Sequence, residues 1–375
     1  MSIRKISGKI HLWLGLSSGL VVFILGITGC LYAFKDEIQS LYSFDKSVSN
    51  VEDKMLAPSA VMDVAKNYDS SHVIHSINYG HTNEAIEVAY YEELPEYFHA
   101  SLYLHPSTGK VLYYEVHETG FFDFVLAGHY NLWLPRWIGQ PIVASATLIF
   151  LVMLVSGIIL WWPKNKNARQ QRFKFKWKST TGKKRKNYDL HNVLGFYASF
   201  LALFLALTGL VWGFEWFAKS AYFTLGGTKS LTYAPPLSVV KKAAGDQPVD
   251  AVFASIQPAY QNKVSDVEYH IPENKSASIY VFVRRDAGTY YRSDYRYFDQ
   301  YTGKELSVGQ LWGKYSDATT SDTIYRMNYD IHVGAIGGIT GKIIAFFISL
   351  ICASLPVSGF FIWYWRKKKK DLSKK

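Results

Sequence analysis

Four histidines recur with matching neighbours at the edges of apolar segments. His11 and His191 each open a long apolar run; a glycine follows four residues later (Gly15, Gly195), and Thr-Gly comes seventeen after the histidine (Thr28-Gly29, Thr208-Gly209). His129 and His332 stand ten and nine residues ahead of Gly139 and Gly341, which open two further apolar runs. Each of those runs carries Ser-Gly, its glycine eighteen residues on (Gly157, Gly359). An ionisable residue at the edge of an apolar span ordinarily faces a partner inside the bundle. A zinc site would gather three or four ligands, usually with Cys or carboxylate among them. Each end here offers two histidines, with no thiol beside them and no charge inside the runs. Two neutral imidazoles on facing helices instead suit the two axial positions of a haem iron, whose macrocycle supplies the other four ligands.

The neighbours fit that chemistry. Gly15 and Gly19 follow His11 on the same helix face, as Gly195 and Ser199 follow His191. Small residues there make room for a flat macrocycle, or serve close helix packing. The glycines at 334, 337, 338 and 341 around His332 read either as a pocket or as a flexible approach to a helix. Carboxylates of a macrocycle would find cations in Lys9 or Lys186 at one end and Arg136 or Arg326 at the other. The seven other histidines (72, 75, 81, 99, 105, 117, 270) read as surface or strand residues.

The elements that must position these residues are membrane spans. Four windows lack any Asp, Glu, Lys or Arg: Ile10–Phe34, Ile138–Trp162, Leu190–Phe214 and Ile343–Trp365. Each exceeds the roughly 20 residues that cross a bilayer. The N-terminal tail, Pro163–Leu190 and Arg366–Lys375 together hold 21 of the 41 basic residues and 2 of the 30 acids. With four spans all three lie on one side, which places both termini in the cytoplasm. The net charge of +11 is then a topology signal, and no nucleic-acid partner is needed to explain it. Trp161-Trp162 and Trp363-Tyr-Trp365 sit where an interfacial aromatic belt belongs. The alternating segment 172–178, Arg-Phe-Lys-Phe-Lys-Trp-Lys, reads as a strip against anionic headgroups or as a short surface strand. Both cysteines, Cys30 and Cys352, fall inside apolar runs, so the exported segments carry no disulfide. Ile27-Thr-Gly-Cys30 has the look of a lipoprotein cleavage box, but Thr-Gly recurs at 208–209 without a cysteine, and the repeat accounts for it.

Between the spans lie two exported segments with the same order. In the first, a helix over Ala57–Asn67 capped by Ser59 precedes strands at His72–Asn78, Ala85–Tyr91, Phe98–Leu104 and 111–115. In the second, a helix over Pro236–Ala244 precedes strands at Val264–His270, Ser278–Arg284 and Tyr290–Asp299. Thr-Gly-Lys turns at 108–110 and 302–304 close both. The expected fold is an integral membrane α+β protein, a four-helix transmembrane bundle built as a twofold repeat with two exported α+β modules. Its parts are an N-tail and first span at 1–34, a first module at 35–125 and a lead-in with the second span at 126–162. A basic loop at 163–189, the third span at 190–217 and a second module at 218–327 follow. A lead-in with the fourth span at 328–365 and a basic tail at 366–375 complete the chain.

These landmarks, in this order over nearly the full length, resemble the PepSY-associated transmembrane proteins of bacterial iron uptake. The matching elements are the basic start with His11-Leu-x-x-Gly, Asp189-Leu-His191-x-x-x-Gly195, His332-Val-Gly, the two Thr-Gly-Lys turns and the Ser-Gly then Trp-rich exits at 156–162 and 358–365. The first half departs from the pattern after His129, where Tyr-Asn-Leu-Trp-Leu-Pro replaces the glycine-rich stretch of the second. The resemblance implies a multi-pass protein of the bacterial inner membrane whose exported segments are periplasmic PepSY modules. It implies a haem-dependent reductase acting on a ferric siderophore or another ferric complex, with His11, His191, His129 and His332 as axial ligands of haem b, two in number. A quinol or a cytosolic reductant would feed it, and membrane lipids would surround it. The alternative is a cofactor-free PepSY regulator or scaffold that binds a periplasmic protein partner.

Overall fold

Each charge-free window folds as one long helix. The computed structural model describes residues 2–52, 54–93, 97–117, 119–163, 169, 172–239 and 248–372. In chain order its helices are α1 (Ile3–Tyr32), α2 (Lys35–Gln39), α3 (Pro58–Tyr68), α4 (Phe121–Asn131), α5 (Arg136–Trp161), α6 (Lys183–Gly213), α7 (Glu215–Thr224), α8 (Pro248–Tyr260), α9 (Thr320–Arg326), α10 (Asn328–His332) and α11 (Gly338–Leu372). The strands are β1 (Ile74–Tyr79), β2 (Ile86–Glu92), β3 (Phe98–Leu104), β4 (Val111–Val116), β5 (Asp266–His270), β6 (Ile279–Arg284), β7 (Asp294–Phe298) and β8 (Glu305–Leu306). The chain forms two compact units. One comprises Met1–Ile38, Gly120–Ala221 and Asn328–Lys375; the other comprises Gln39–Thr119 and Tyr222–Met327.

In the first unit α1, α5, α6 and α11 are long and apolar enough to cross a membrane. Helices α1 and α6 each pack mainly on α5 and α11, so they stand diagonally across the bundle. Small residues set the approach. A Cβ on Gly26 would lie 2.8 Å from that of Ala353, and one on Gly213 would lie 2.8 Å from that of Ala144, the close contact by which helices associate in lipid. His129 and His332 are carried by α4 and α10, short helices ahead of α5 and α11, and not by the spans themselves. After α10 the chain turns through Gly334 (φ 80°); after α4 it turns through Leu132 and Trp133 (φ 55° and 57°). Left-handed backbone costs a residue with a side chain about 1 kcal/mol. Trp133 offsets it by donating its indole N–H to the Phe124 carbonyl at 2.8 Å and stacking on the Phe124 ring.

The second unit is one antiparallel sheet of eight strands in the order β4-β3-β2-β1-β5-β6-β7-β8. The strands that the sequence divides between two segments are thus joined, through β1 and β5, with Ile77 opposite Tyr269. Alternation along each strand puts Ile77, Tyr79, Val88, Tyr90, Leu102, Val267, Tyr269 and Val281 on one face in a core with residues of α3 and α8. The buried tyrosine hydroxyls are satisfied there: Tyr79 donates to the Leu56 carbonyl and Tyr90 to that of Ala65.

Two local expectations are corrected. The helix ahead of β5 is Pro248–Tyr260; residues 236–239 are not helical, and 240–244 lie outside the described residues. Helix α3 begins after Ala57, and Ser59 does not cap it. The Ser59 amide and hydroxyl both donate to the carboxylate of Asp250 in the first turn of α8. A cap drawn from a residue 191 positions away leaves no local signature.

Asp322 supplies a stability test within this unit. Its side chain, 1% exposed, accepts from the Tyr222 hydroxyl (2.5 Å), Lys229 Nζ (2.8 Å) and the Thr319 amide (2.9 Å), closing the capping box of α9. Burial pushes its pKa up, but Lys229, Tyr222 and Thr319 together outweigh burial and hold it at about 2, against an ordinary 3.8. A folded pKa below the unfolded one stabilises fully above about pH 4, and that contribution disappears as pH falls toward 2. Asp322→Asn is therefore expected to cost about 2–3 kcal/mol at neutral pH, the worth of that depression. Melting curves should show the gap to wild type closing between about pH 4 and 2. Asp69, also held at about 2, titrates in both proteins, so the difference between the curves carries the result.

Candidate functional site

The four matched histidines come together as two pairs. His11 on α1 and His191 on α6 face each other with ring centroids 6.4 Å apart and planes at 86°. His129 on α4 and His332 on α10 form the second pair at 6.1 Å and 69°. Every ring is held the same way, through Nδ1, by a hydroxyl on another helix. The partners are Ser156 for His11 (3.0 Å), Ser358 for His191 (2.9 Å), Thr28 for His129 (3.0 Å) and Thr208 for His332 (2.9 Å). The residue after each hydroxyl is a glycine, and a Cβ there would lie 3.2–3.4 Å from the imidazole Cε1. The Ser-Gly and Thr-Gly dipeptides are therefore seats for the rings, one half orienting and the other making room.

The hydrogen bonds favour one tautomer. Each hydroxyl donates its own proton to a carbonyl of its helix: Ser156 to Met153, Ser358 to Ser354, Thr28 to Ile24 and Thr208 to Phe204. A hydroxyl that gives its one proton to that carbonyl accepts from the ring. Nδ1 thus carries the proton, and Nε2 keeps its lone pair for a ligand.

The spacing of the rings is the test of fit. With a metal–imidazole bond of about 2.0–2.1 Å and about 1.2 Å from Nε2 to the ring centre, two axial imidazoles on one metal have centroids about 6.4 Å apart. The first pair, at 6.4 Å, matches that separation, and the second, at 6.1 Å, is shorter by about 0.3 Å. Among the described residues no third His, Cys, Asp or Glu joins either pair to make a protein-only metal site. The first pair lines a cavity of about 440 Å³ whose wall includes Gly15, Gly19, Gly195 and Ser199. A Cβ on Gly15 would come within 3.0 Å of Met153 Cε, and one on Gly195 within 3.4 Å of Leu355 Cδ2. The second pair lines a cavity of about 270 Å³, and Val22 and Phe150 belong to the walls of both. A macrocycle held by two axial imidazoles fits this donor set.

Other expectations around the pairs are corrected. None of Lys9, Lys186, Arg136 and Arg326 lines either cavity. Lys186 lies over the Trp177 ring, Arg136 reaches Gln140, and Arg326 is spent in the sheet unit on the carbonyls of Ser293, Leu311 and Gly313. The cations in the wall of the larger cavity are Arg4, Arg172 and Arg366. The glycines at 334, 337, 338 and 341 are outside the cavity walls as well. Gly334 and Gly341 meet backbone to backbone, which fixes the turn into α11. Trp161 does not face the interface; it is 5% exposed and stacks on Phe196 at 3.7 Å.

Reading the sequence missed Ser156, Ser358, Thr28 and Thr208 as working residues, although their dipeptides were its landmarks. A hydroxyl seventeen residues beyond a histidine lies about 26 Å further along the helix. Thr28 therefore serves the pair at the other end of the bundle from His11, a relation that only the packing reveals. Of the remaining histidines, His72 pairs with Asp69, His75 lies against His270, and His99 lies against His117, all in the sheet unit.

Four apolar spans and a separate antiparallel sheet define a membrane protein. The family model described as the PepSY-associated TM region matches residues 9–367, nearly the whole chain, and the chain belongs to that family. No curated protein matches it.

Proposed function

We propose that this protein is a haem b-containing reductase of the bacterial inner membrane. It carries electrons across the bilayer to a periplasmic ferric complex, a ferric siderophore in iron uptake. The observation that carries this reading is the pair of histidine pairs at opposite ends of one bundle, with ring centroids 6.4 and 6.1 Å apart and each ring held through Nδ1 by a hydroxyl. The clustering of basic residues supports an orientation with His11 and His191 near the cytoplasm, His129 and His332 near the periplasm, and the sheet outside. The duplicated ring seats, and a strand order with four strands from each half of the chain, support a twofold repeat with PepSY-like modules.

Haem b bound between each pair would supply a one-electron iron couple. The chain's own task is placement. His11 and His191 would ligate at the inner end, where a quinol or cytosolic reductant delivers electrons. His129 and His332 would ligate at the outer end, and the four hydroxyls hold each ring in the ligating tautomer. No protein acid or base is required.

Proteoliposomes with a membrane-impermeant reductant sealed inside and a ferric chelate outside test the reading. Ferrous iron should form outside at a rate that scales with the amount of protein. Reduction no faster than in protein-free vesicles, by a chain shown to be folded, would leave the cofactor-free scaffold as the better account.

A further inference from the structure

The end of α5 beside the His11 and His191 cavity holds more positive charge than capping of the helix uses. Arg4 donates through its two terminal nitrogens to the carbonyls of Leu160 (2.6 Å) and Trp162 (3.2 Å). Arg172 donates through one nitrogen to the carbonyls of Leu160 (3.0 Å) and Trp161. Two guanidinium groups therefore converge on the Leu160 carbonyl. A helix C-terminus offers about half a negative charge, so two full positive charges exceed what capping consumes. Among the described residues no carboxylate forms an ion pair with Arg4, Arg172 or Arg366. All three arginines line the same cavity. A second, independent feature points to a missing acceptor. The indole Nε1–H of Trp161, in the wall of that cavity, is buried with no hydrogen-bond partner. An unpaired buried donor is costly and calls for a partner that arrives with a ligand.

We infer that Arg4, Arg172 and the Trp161 indole, which line this cavity together with Arg366, form an oxyanion site that takes a carboxylate or a phosphate. Planar guanidinium groups match either anion by paired N–H donors, and Trp161 adds a neutral donor of fixed direction because its ring is clamped against Phe196. The chemistry has two sources. A carboxylate would come from the edge of a macrocycle seated between His11 and His191, a source that rests on the proposed function. A phosphate would come from the headgroup of an anionic phospholipid, a source that does not.

Full-length protein in detergent separates the cases. Wild type, Arg172→Gln and Trp161→Phe, which keeps the stacking ring and removes only the N–H, are titrated with haem and with haem whose two carboxylates are esterified. In parallel, their melting temperatures are measured in nanodiscs of phosphatidylglycerol and of phosphatidylcholine. If the anion is the macrocycle's, haem binds wild type about tenfold or more tightly than its diester, the worth of one charge-assisted bond. That preference shrinks in both variants. If the anion is a lipid phosphate, haem and diester bind alike, and phosphatidylglycerol raises the melting temperature of wild type but not of Arg172→Gln. Equal behaviour of all three proteins toward both pairs of ligands overturns the site and leaves the arginines as helix caps. Should neither macrocycle bind, the haem reading fails, and the nanodisc comparison alone then decides the oxyanion site.

Discussion

Replacing His191 with alanine should lower the haem content of the purified protein from two per chain to one, and replacing His332 should remove the other one. The ring centroids in each pair are 6.4 and 6.1 Å apart, while the two pairs sit at opposite ends of the bundle, so each macrocycle would depend on its own pair. This fixes the pattern among double variants. His11→Ala with His191→Ala should be no worse than either alone, since both would act on one iron and their effects could not add. His11→Ala with His332→Ala should be devoid of haem. Pyridine haemochrome measured against protein concentration gives the counts. Loss of both haems from a single substitution, or full retention in the His11 and His191 double variant, would contradict the pairing.

Removing one hydroxyl should weaken one tier and leave the other alone. Ser358→Ala takes away the acceptor that holds His191 at Nδ1; the glycine behind it, Gly359, still leaves the ring room to turn. Loss of such an outer partner typically lowers metal affinity about 10- to 100-fold. Because the Nδ1–H bond makes the ligating nitrogen more basic and favours ferric iron, the midpoint potential of that haem should rise. Ser358→Thr should restore both properties, since threonine does this work at positions 28 and 208. Haem loss to an external acceptor protein and a potentiometric titration measure the two effects. A uniform shift of both haems in Ser358→Ala would mean that the change acts through the fold and not through the ring.

How much of this was legible beforehand differs by element. The four spans follow from runs without charge, and the strands follow from alternation between turn signals; both are local patterns. The four histidines stood out because their surroundings repeat. What could not be read were relations between distant segments. The bond from Thr28 to His129 crosses from α1 to α4, the Asp250 cap of α3 crosses 191 residues, and the union of the strands through β1 and β5 joins the two halves. Which cations line the cavity is hidden for the same reason. Lys9 and Lys186 lie nearer the histidines in sequence, but Arg4 and Arg172 are drawn to the free carbonyls at the end of α5, and that brings them to the cavity.

Each histidine pair, on this reading, would grip one haem from both faces. The most direct measurement is the spectrum of the purified wild-type protein. It should show a Soret band, sharp visible bands on adding dithionite, and two b haems per chain. Imidazole planes at 86° and 69° should give the strongly anisotropic low-spin ferric resonance of near-perpendicular ligands. A protein that is folded yet has no Soret absorption, or carries only high-spin haem, would contradict the account.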